Sequence, residues 1–287
     1  MKNFKYFIQF LFILLLFGVY KILGLRLSLL ISNFIFTLLG PIFRSNKISE
    51  LNLSFAFKDF NKTEKNKIIK KMWGNYGKIF AEYMFIKQFR KNPSFSKNIR
   101  VENNKIIDEI KKNLEPVVFV SGHFNNFELM AMQIERSGIQ VAAIYRPLNN
   151  IFLNPIMENI RKKYICQIQI KKGISGMKSL LKSFKNKTSI ALMIDQRVSE
   201  GISCNFFGNK ALTTTIPAQF VKKFNAKIIP VYIERLKNNG FKIRYHNPLV
   251  FDRDASTESI TLKLNQELEK MILNNPEQWI WTHNRWK

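Results

Sequence analysis

Cysteine and histidine are scarce in this chain of 287 residues: two of the first, Cys166 and Cys204, and three of the second, His123, His246 and His283. Two widely separated cysteines form no disulfide framework. None pairs with histidine at metal-ligand spacing, so a reducing compartment and no structural metal are the default. Acidic residues are also few, 20 against 46 Lys and Arg, for a formal net charge of +26. Five cations and no acid lie in the first 45 residues, so the remainder carries +21. Such a field attracts anions in general: nucleic acid, acidic lipid surfaces, phosphorylated substrates or an acidic carrier protein. The chain offers no RNA-recognition aromatic block, no zinc spacing and no clear helix-turn-helix, which argues against nucleic acid. Internal repeats and low-complexity linkers are absent.

What the chain does have is a long apolar N-terminus. Tyr6 to Tyr20 is uncharged and bounded by Lys5 and Lys21, and a second apolar stretch runs from Leu27 to Phe43. Fifteen helical residues cover about 22 Å against a hydrocarbon core of roughly 30 Å, so the first run spans only with snorkelling lysines or local thinning, and otherwise lies in the interface or merges with the second. Lys2 and Lys5 also suit a signal-peptide n-region, but no small-x-small cleavage site follows. We expect residues 1–45 to be a membrane anchor and 46–287 a globular domain on the cytoplasmic side.

Beyond Pro41 the composition turns polar. Asn61 to Lys91 reads as one amphipathic helix with Ile68, Met72, Tyr76, Ile79, Phe80 and Tyr83 on its inner face. From Val117 strands and helices alternate. Strands are expected at 117–120, 141–145, 165–170 and 189–194, with helices at 126–136, 151–164 and 174–184 between and after them. Ile228 to Arg235 and Phe241 to Phe251 suggest an antiparallel pair about Asn238-Asn239-Gly240, and Ser256 to Leu273 a final helix. The pattern implies an α/β fold with a mixed central β-sheet flanked by helices.

The first strand runs into Ser121-Gly122-His123-Phe124-Asn125-Asn126-Phe127-Glu128. It places His123 where strand gives way to helix, the carboxyl edge at which open α/β sheets bind ligands. An imidazole there can take a proton near neutrality, and a carboxylate on its other nitrogen fixes the tautomer. Glu128 is the nearest candidate. Five residues of continuous helix subtend about 500°, so the pair meets only if the intervening chain is partly turn. The plainer reading makes Asn125 and Glu128 a helix capping box and His123 a turn residue. Arg146, after the second strand, could hold an oxyanion or a phosphate, though surface arginines are common there. Asp195-Gln196, after the strand 189–194, could bind substrate, orient Arg146 or cap a loop. Phe206-Phe207-Gly208, followed by Thr213-Thr214-Thr215 opening a helix, suits an acyl chain with a polar head, or else a loop on a buried aromatic anchor. Three tryptophans near the C-terminus fit a bilayer interface or a core-closing tail. His246 and His283 read as structural.

Taken together, Gly122 to Leu129, Tyr145-Arg146-Pro147-Leu148-Asn149-Asn150, Asp195-Gln196, Phe206-Phe207-Gly208 with Thr215-Ile216-Pro217-Ala218, and Pro276-Glu277-Gln278-Trp279 with Trp281-Thr282-His283-Asn284-Arg285-Trp286 resemble the bacterial lipid A late acyltransferases over nearly the whole chain. That family belongs to the lysophospholipid acyltransferase class, marked by His, four residues, then Asp or Glu. The resemblance implies a glycerol-phosphate-acyltransferase-like fold, an inner-membrane location, acyl carrier protein as donor, a lipid A precursor as acceptor and no cofactor. It assigns His123 as general base, Glu128 as its partner and Arg146 as an anion-binding residue, with Asp195, Gln196, Phe206, Phe207 and Thr215 toward the substrates. Glu at 128 in place of Asp, and the lack of a Phe-Pro-Glu-Gly-type block, separate the chain from the glycerol-phosphate acyltransferases. Some relatives with this pattern acylate other glycolipids, such as mannosylated phosphoinositides.

Overall fold

The computed structural model describes residues 2–287. A long helix α1 (Lys2–Phe43) bends at Gly24, whose φ of 73° and ψ of 170° interrupt the helical backbone. Then follow α2 (Lys47–Ala56), α3 (Lys62–Glu82), α4 (Ile86–Lys91), the single turn α5 (Pro93–Ser96), strand β1 (Ile99–Glu102) and α6 (Asn104–Asn113). The alternating body is β2 (Val118–Ser121), α7 (Glu128–Arg136), β3 (Val141–Tyr145), α8 (Leu153–Ile160), β4 (Ile168–Lys171), α9 (Ile174–Lys185) and β5 (Ser189–Met193). A hairpin β6 (Ile202–Phe206) and β7 (Asn209–Thr213), then α10 (Ile216–Phe224), β8 (Ile228–Arg235), β9 (Phe241–Tyr245) and α11 (Thr257–Asn274) complete the chain.

Seven strands form one mixed sheet in the order β1-β9-β8-β2-β5-β3-β4. The five from β8 to β4 are parallel, and β9 runs antiparallel to β8 across the turn at Asn238-Asn239-Gly240, as expected from the sequence. Strand β2 is buried at every position, which is why the sequence from Val117 to Val120 is an unbroken apolar run. Its neighbours β5 and β8 pair in register with it, Ser121 opposite Met193. The residues just beyond β2 and β5 therefore emerge side by side.

Several elements depart from the sequence reading. The helix expected over 61–91 is interrupted by a 3₁₀ turn at Tyr83–Phe85, and its buried face carries Ile69, Met72, Trp73, Gly77 and Ala81, about one position round from the expected stripe. The reason is that α3 packs chiefly against another helix. The second half of α1 lies along it, with Ser32 Oγ donating to the Gly77 carbonyl at 2.7 Å. A Cβ on Gly77 would sit 2.1 Å from the Ser32 carbonyl oxygen, so the two backbones approach closely only because this residue has no side chain. Phe17 and Tyr20 of α1 are buried against Phe80.

The capping box belongs to Asn61 and Glu64 at the start of α3, not to Asn125 and Glu128. The helix expected over 151–164 is α8 continued by a single π-helical stretch, Arg161–Ile165. The hairpin β6–β7 occupies what reads as a loop: its two turn residues, Phe207 and Gly208, both have positive φ, and phenylalanine is not a residue that advertises such a turn.

Candidate active site

A cavity of about 500 Å³ opens at the carboxyl ends of β2, β5 and β3, with wall residues from each of them and from α7. Phe119, Val120, Met130, Ala131, Ile134, Ala143 and Leu192 make one part of the wall apolar. His123, Glu128, Arg146, Arg161, Gln196 and His283 supply polar groups to the same space.

His123 and Asp195 meet because Ser121 pairs with Met193, and each lies two residues past its paired strand position. His123 Nδ1 is 2.8 Å from Asp195 Oδ1, and the His123 backbone N–H donates to Asp195 Oδ2, also at 2.8 Å. The Trp279 indole N–H donates to that same Oδ2 at 2.8 Å, so both carboxylate oxygens are engaged. A Cβ on Gly122 would meet the Phe124 ring at 3.0 Å and Asp195 Oδ2 at 3.2 Å, which makes glycine the residue that lets the turn fit. With Nδ1 bound to a carboxylate it carries the proton, and Nε2 is the basic nitrogen, without a hydrogen-bond partner among the described residues. Phe127 packs edge-on to the ring, centroids 4.8 Å apart. Burial pulls the His123 pKa down, but the Asp195 charge and hydrogen bond outweigh it and hold the group above its ordinary 6.5. Burial pushes the Asp195 pKa up, and the His123 charge with three donated hydrogen bonds reverses that, keeping it a carboxylate well below the usual range.

The expected contact between His123 and Glu128 is therefore replaced by one between His123 and Asp195. The chain from 123 to 128 is indeed turn, with Asn125 at φ 42°, but Asn125 bonds the Ile233 carbonyl and Gln278, and Glu128 points to other partners. Its Oε1 accepts from Tyr83 Oη at 2.8 Å and from Arg161 Nε and Nη2 at 2.8 and 2.7 Å. Glu128 still lines the cavity beside His123, and its charge adds to the upward pull on the imidazole. Arg161, unremarked in the sequence, comes from the π-helical end of α8, and a run reading Arg-Lys-Lys gives no sign that one member turns inward.

The remaining expected site residues divide. Arg146 lines the cavity and is exposed, with no ion-pair partner among the described residues. Gln196 lines it too. Asp195, expected toward the substrate, has a side chain with no exposure, and its two oxygens are taken up by His123 and Trp279. Phe206 and Phe207 lie away from the cavity: Phe206 is buried beneath the Arg285 guanidinium and stacked on Trp286, and Phe207 touches Trp286 and Phe57. The tryptophan tail is thus a core-closing one, with Trp279 and Trp281 buried. Thr215 accepts from Gln219 Nε2 at 3.0 Å outside the cavity, while its neighbours Thr214 and Ile216 line it. His283, read as structural, is a wall residue whose Nε2 accepts from the Arg197 N–H at 3.0 Å, and burial keeps it neutral by lowering its pKa.

Comparison with known proteins agrees with the motifs. The whole chain, residues 1–287, matches the family described as bacterial lipid A biosynthesis acyltransferase. It is 22% identical over 243 residues to a lipid A biosynthesis acyltransferase 2 of Shigella flexneri, covering 83% of this chain and 76% of that one. It is 21% identical over 240 residues to a lipid A biosynthesis myristoyltransferase of Escherichia coli (83% and 73% covered), and 23% identical over 251 residues to a lipid A biosynthesis lauroyltransferase of the same organism (85% and 79%).

Proposed function

The chain belongs to the bacterial lipid A biosynthesis acyltransferase family and is an acyltransferase, and from that premise we propose that it moves a fatty acyl chain from an acyl carrier protein thioester to a hydroxyl of a lipid A precursor, at the cytoplasmic face of the inner membrane. His123 is the general base. Its Nε2 takes the hydroxyl proton as the oxygen attacks the thioester carbonyl; the tetrahedral intermediate then collapses, the C–S bond breaks, and the proton passes to the leaving sulfur. Asp195 fixes the tautomer and stabilises the imidazolium, the role that the sequence alone offers to Glu128. Glu128, held by Arg161 and Tyr83, adds negative charge beside the same ring. Arg146 stands on the cavity wall without a counter-ion among the described residues and supplies positive charge to the oxyanion or to a phosphate of the acceptor.

The observation that carries the reading is the His123–Asp195 pair at the edge of a half-apolar cavity in a chain of this family. An acidic carrier and a phosphorylated glycolipid also suit a net charge of +26. The test is direct: purified protein, an acyl carrier protein thioester and a lipid A precursor are incubated, and products are weighed by mass spectrometry. One acyl chain is expected on the acceptor with the native protein and none with His123→Ala. Equal transfer by both proteins removes the mechanism.

A further inference from the structure

The 22 residues of α1 before Gly24 are mostly apolar and, at 1.5 Å per residue, about 33 Å long, enough by length to cross a bilayer. Their contacts say otherwise. The less exposed residues of this stretch are Tyr6, Phe10, Ile13, Leu16, Phe17 and Tyr20, recurring at helical steps on one face. That face lies along the body at both ends. Near the start, the Tyr6 carbonyl accepts from Asn150 Nδ2 at 2.8 Å, and Phe7 and Phe10 pack on Phe152 with centroids 5.4 and 5.9 Å away. Fourteen residues later, about 21 Å along the axis, Phe17 and Tyr20 pack on Phe80. A helix crossing the membrane would carry Asn150 and its polar loop into the hydrocarbon with it, where unpaired backbone and amide groups are not tolerated.

The opposite face is a continuous row of exposed apolar side chains: Phe4, Ile8, Leu11, Phe12, Leu15 and Val19. We infer that α1 up to Gly24 lies in the plane of a single leaflet, outer face buried among the acyl chains, with both ends on the same side as the body. The loop it grips stays at the headgroup level beside it, with Leu148 and Ile151 as exposed apolar residues facing the leaflet. Because Arg146, Pro147 and Leu148 of this segment line the cavity, the cavity opens onto the membrane surface. The basic body favours a leaflet rich in anionic headgroups. This disposition stands independently of the reaction catalysed.

Topology tests it without recourse to activity. Single cysteines replace Lys2 or Lys237, both exposed, and sealed membrane vesicles of either orientation are treated with a membrane-impermeant maleimide; Cys166 and Cys204 are buried, so the unsubstituted protein serves as the blank. Both positions are expected to label from the same face. Lys2→Cys labelling from the face opposite Lys237→Cys overturns the inference. Spin labels at Ile8→Cys, Phe12→Cys, Leu15→Cys and Val19→Cys give a second reading, through their relative accessibility to oxygen and to a water-soluble nickel complex. One shallow depth along the row is expected, whereas a depth that rises to a midpoint and falls again marks a crossing helix.

Discussion

At the scale of single residues, the reactivity of His123 is set by a carboxylate that sequence distance hides. The glycine turn and the histidine are legible because Gly122 and His123 follow an apolar strand. Asp195 is legible as a strand-end residue, but its partner is not, since only the register of β2 against β5 brings 123 and 195 together. Nearness in sequence favours Glu128 instead. Exchanging Asp195→Asn keeps the shape and removes the charge, and kcat is expected to fall roughly 10²- to 10⁴-fold. The pH profile separates this role from a merely structural one. A base works when neutral, so in the native protein the acid limb of kcat/KM lies above pH 6.5, where the raised His123 pKa places it. Without the Asp195 charge that pKa drops, and the limb moves to lower pH. An Asp195→Asn profile that loses height without moving would assign Asp195 to support of the fold alone.

At the scale of elements, a buried polar network ties the turn that carries His123 to the helices beside it. Glu82, at the end of α3, pairs with Arg235 at the end of β8, and their side chains are 0% and 6% exposed. Asn126, from the turn after His123, donates to Glu82 Oε2 at 3.1 Å, and Arg235 Nε donates to Asn75 Oδ1 at 3.0 Å. Removing one member leaves the other charge buried and unpaired, so Glu82→Ala should cost about 3–5 kcal/mol, read as a lowered denaturation midpoint in detergent. Glu82→Gln, which loses the charge but keeps hydrogen bonding, should cost less than Glu82→Ala, and equal midpoints for both would show that the hydrogen bonds are immaterial and the lost charge sets the whole cost. None of this network is visible in the sequence, where Glu82 and Arg235 lie more than 150 residues apart and each reads as a surface charge. The strands with strong apolar runs, β2, β3, β5 and β8, are legible to within a residue or two because burial on both faces leaves no other composition. Strand β1 is not, because Ile-Arg-Val-Glu at a sheet edge alternates too briefly to stand out.

At the scale of the whole molecule, charge and apolar surface act together. The net +26 and the exposed row on α1 make two separable contributions to membrane binding, one screened by salt and one not. Vesicles containing anionic lipid should therefore bind more protein than zwitterionic ones at low ionic strength, and the difference should collapse near 1 M salt, where the screening length is about 3 Å. Binding through α1 should persist there, measured by flotation. Complete release of the protein by salt would mean that the helix does not enter the bilayer. The sequence already offers the two apolar runs and the basic body. It leaves the run spanning or interfacial because length and hydropathy are the same in both cases, and only the contacts of Tyr6 and Phe10 with the body distinguish them.

The most direct measurement is the mass spectrum of the membrane glycolipid from cells lacking this gene, complemented with the native protein or with His123→Ala at matched membrane abundance. The native protein is expected to restore a species heavier by one acyl chain, and His123→Ala to leave the precursor unchanged. Restoration by the variant to the native level would contradict the claim that the histidine held by Asp195 performs the transfer.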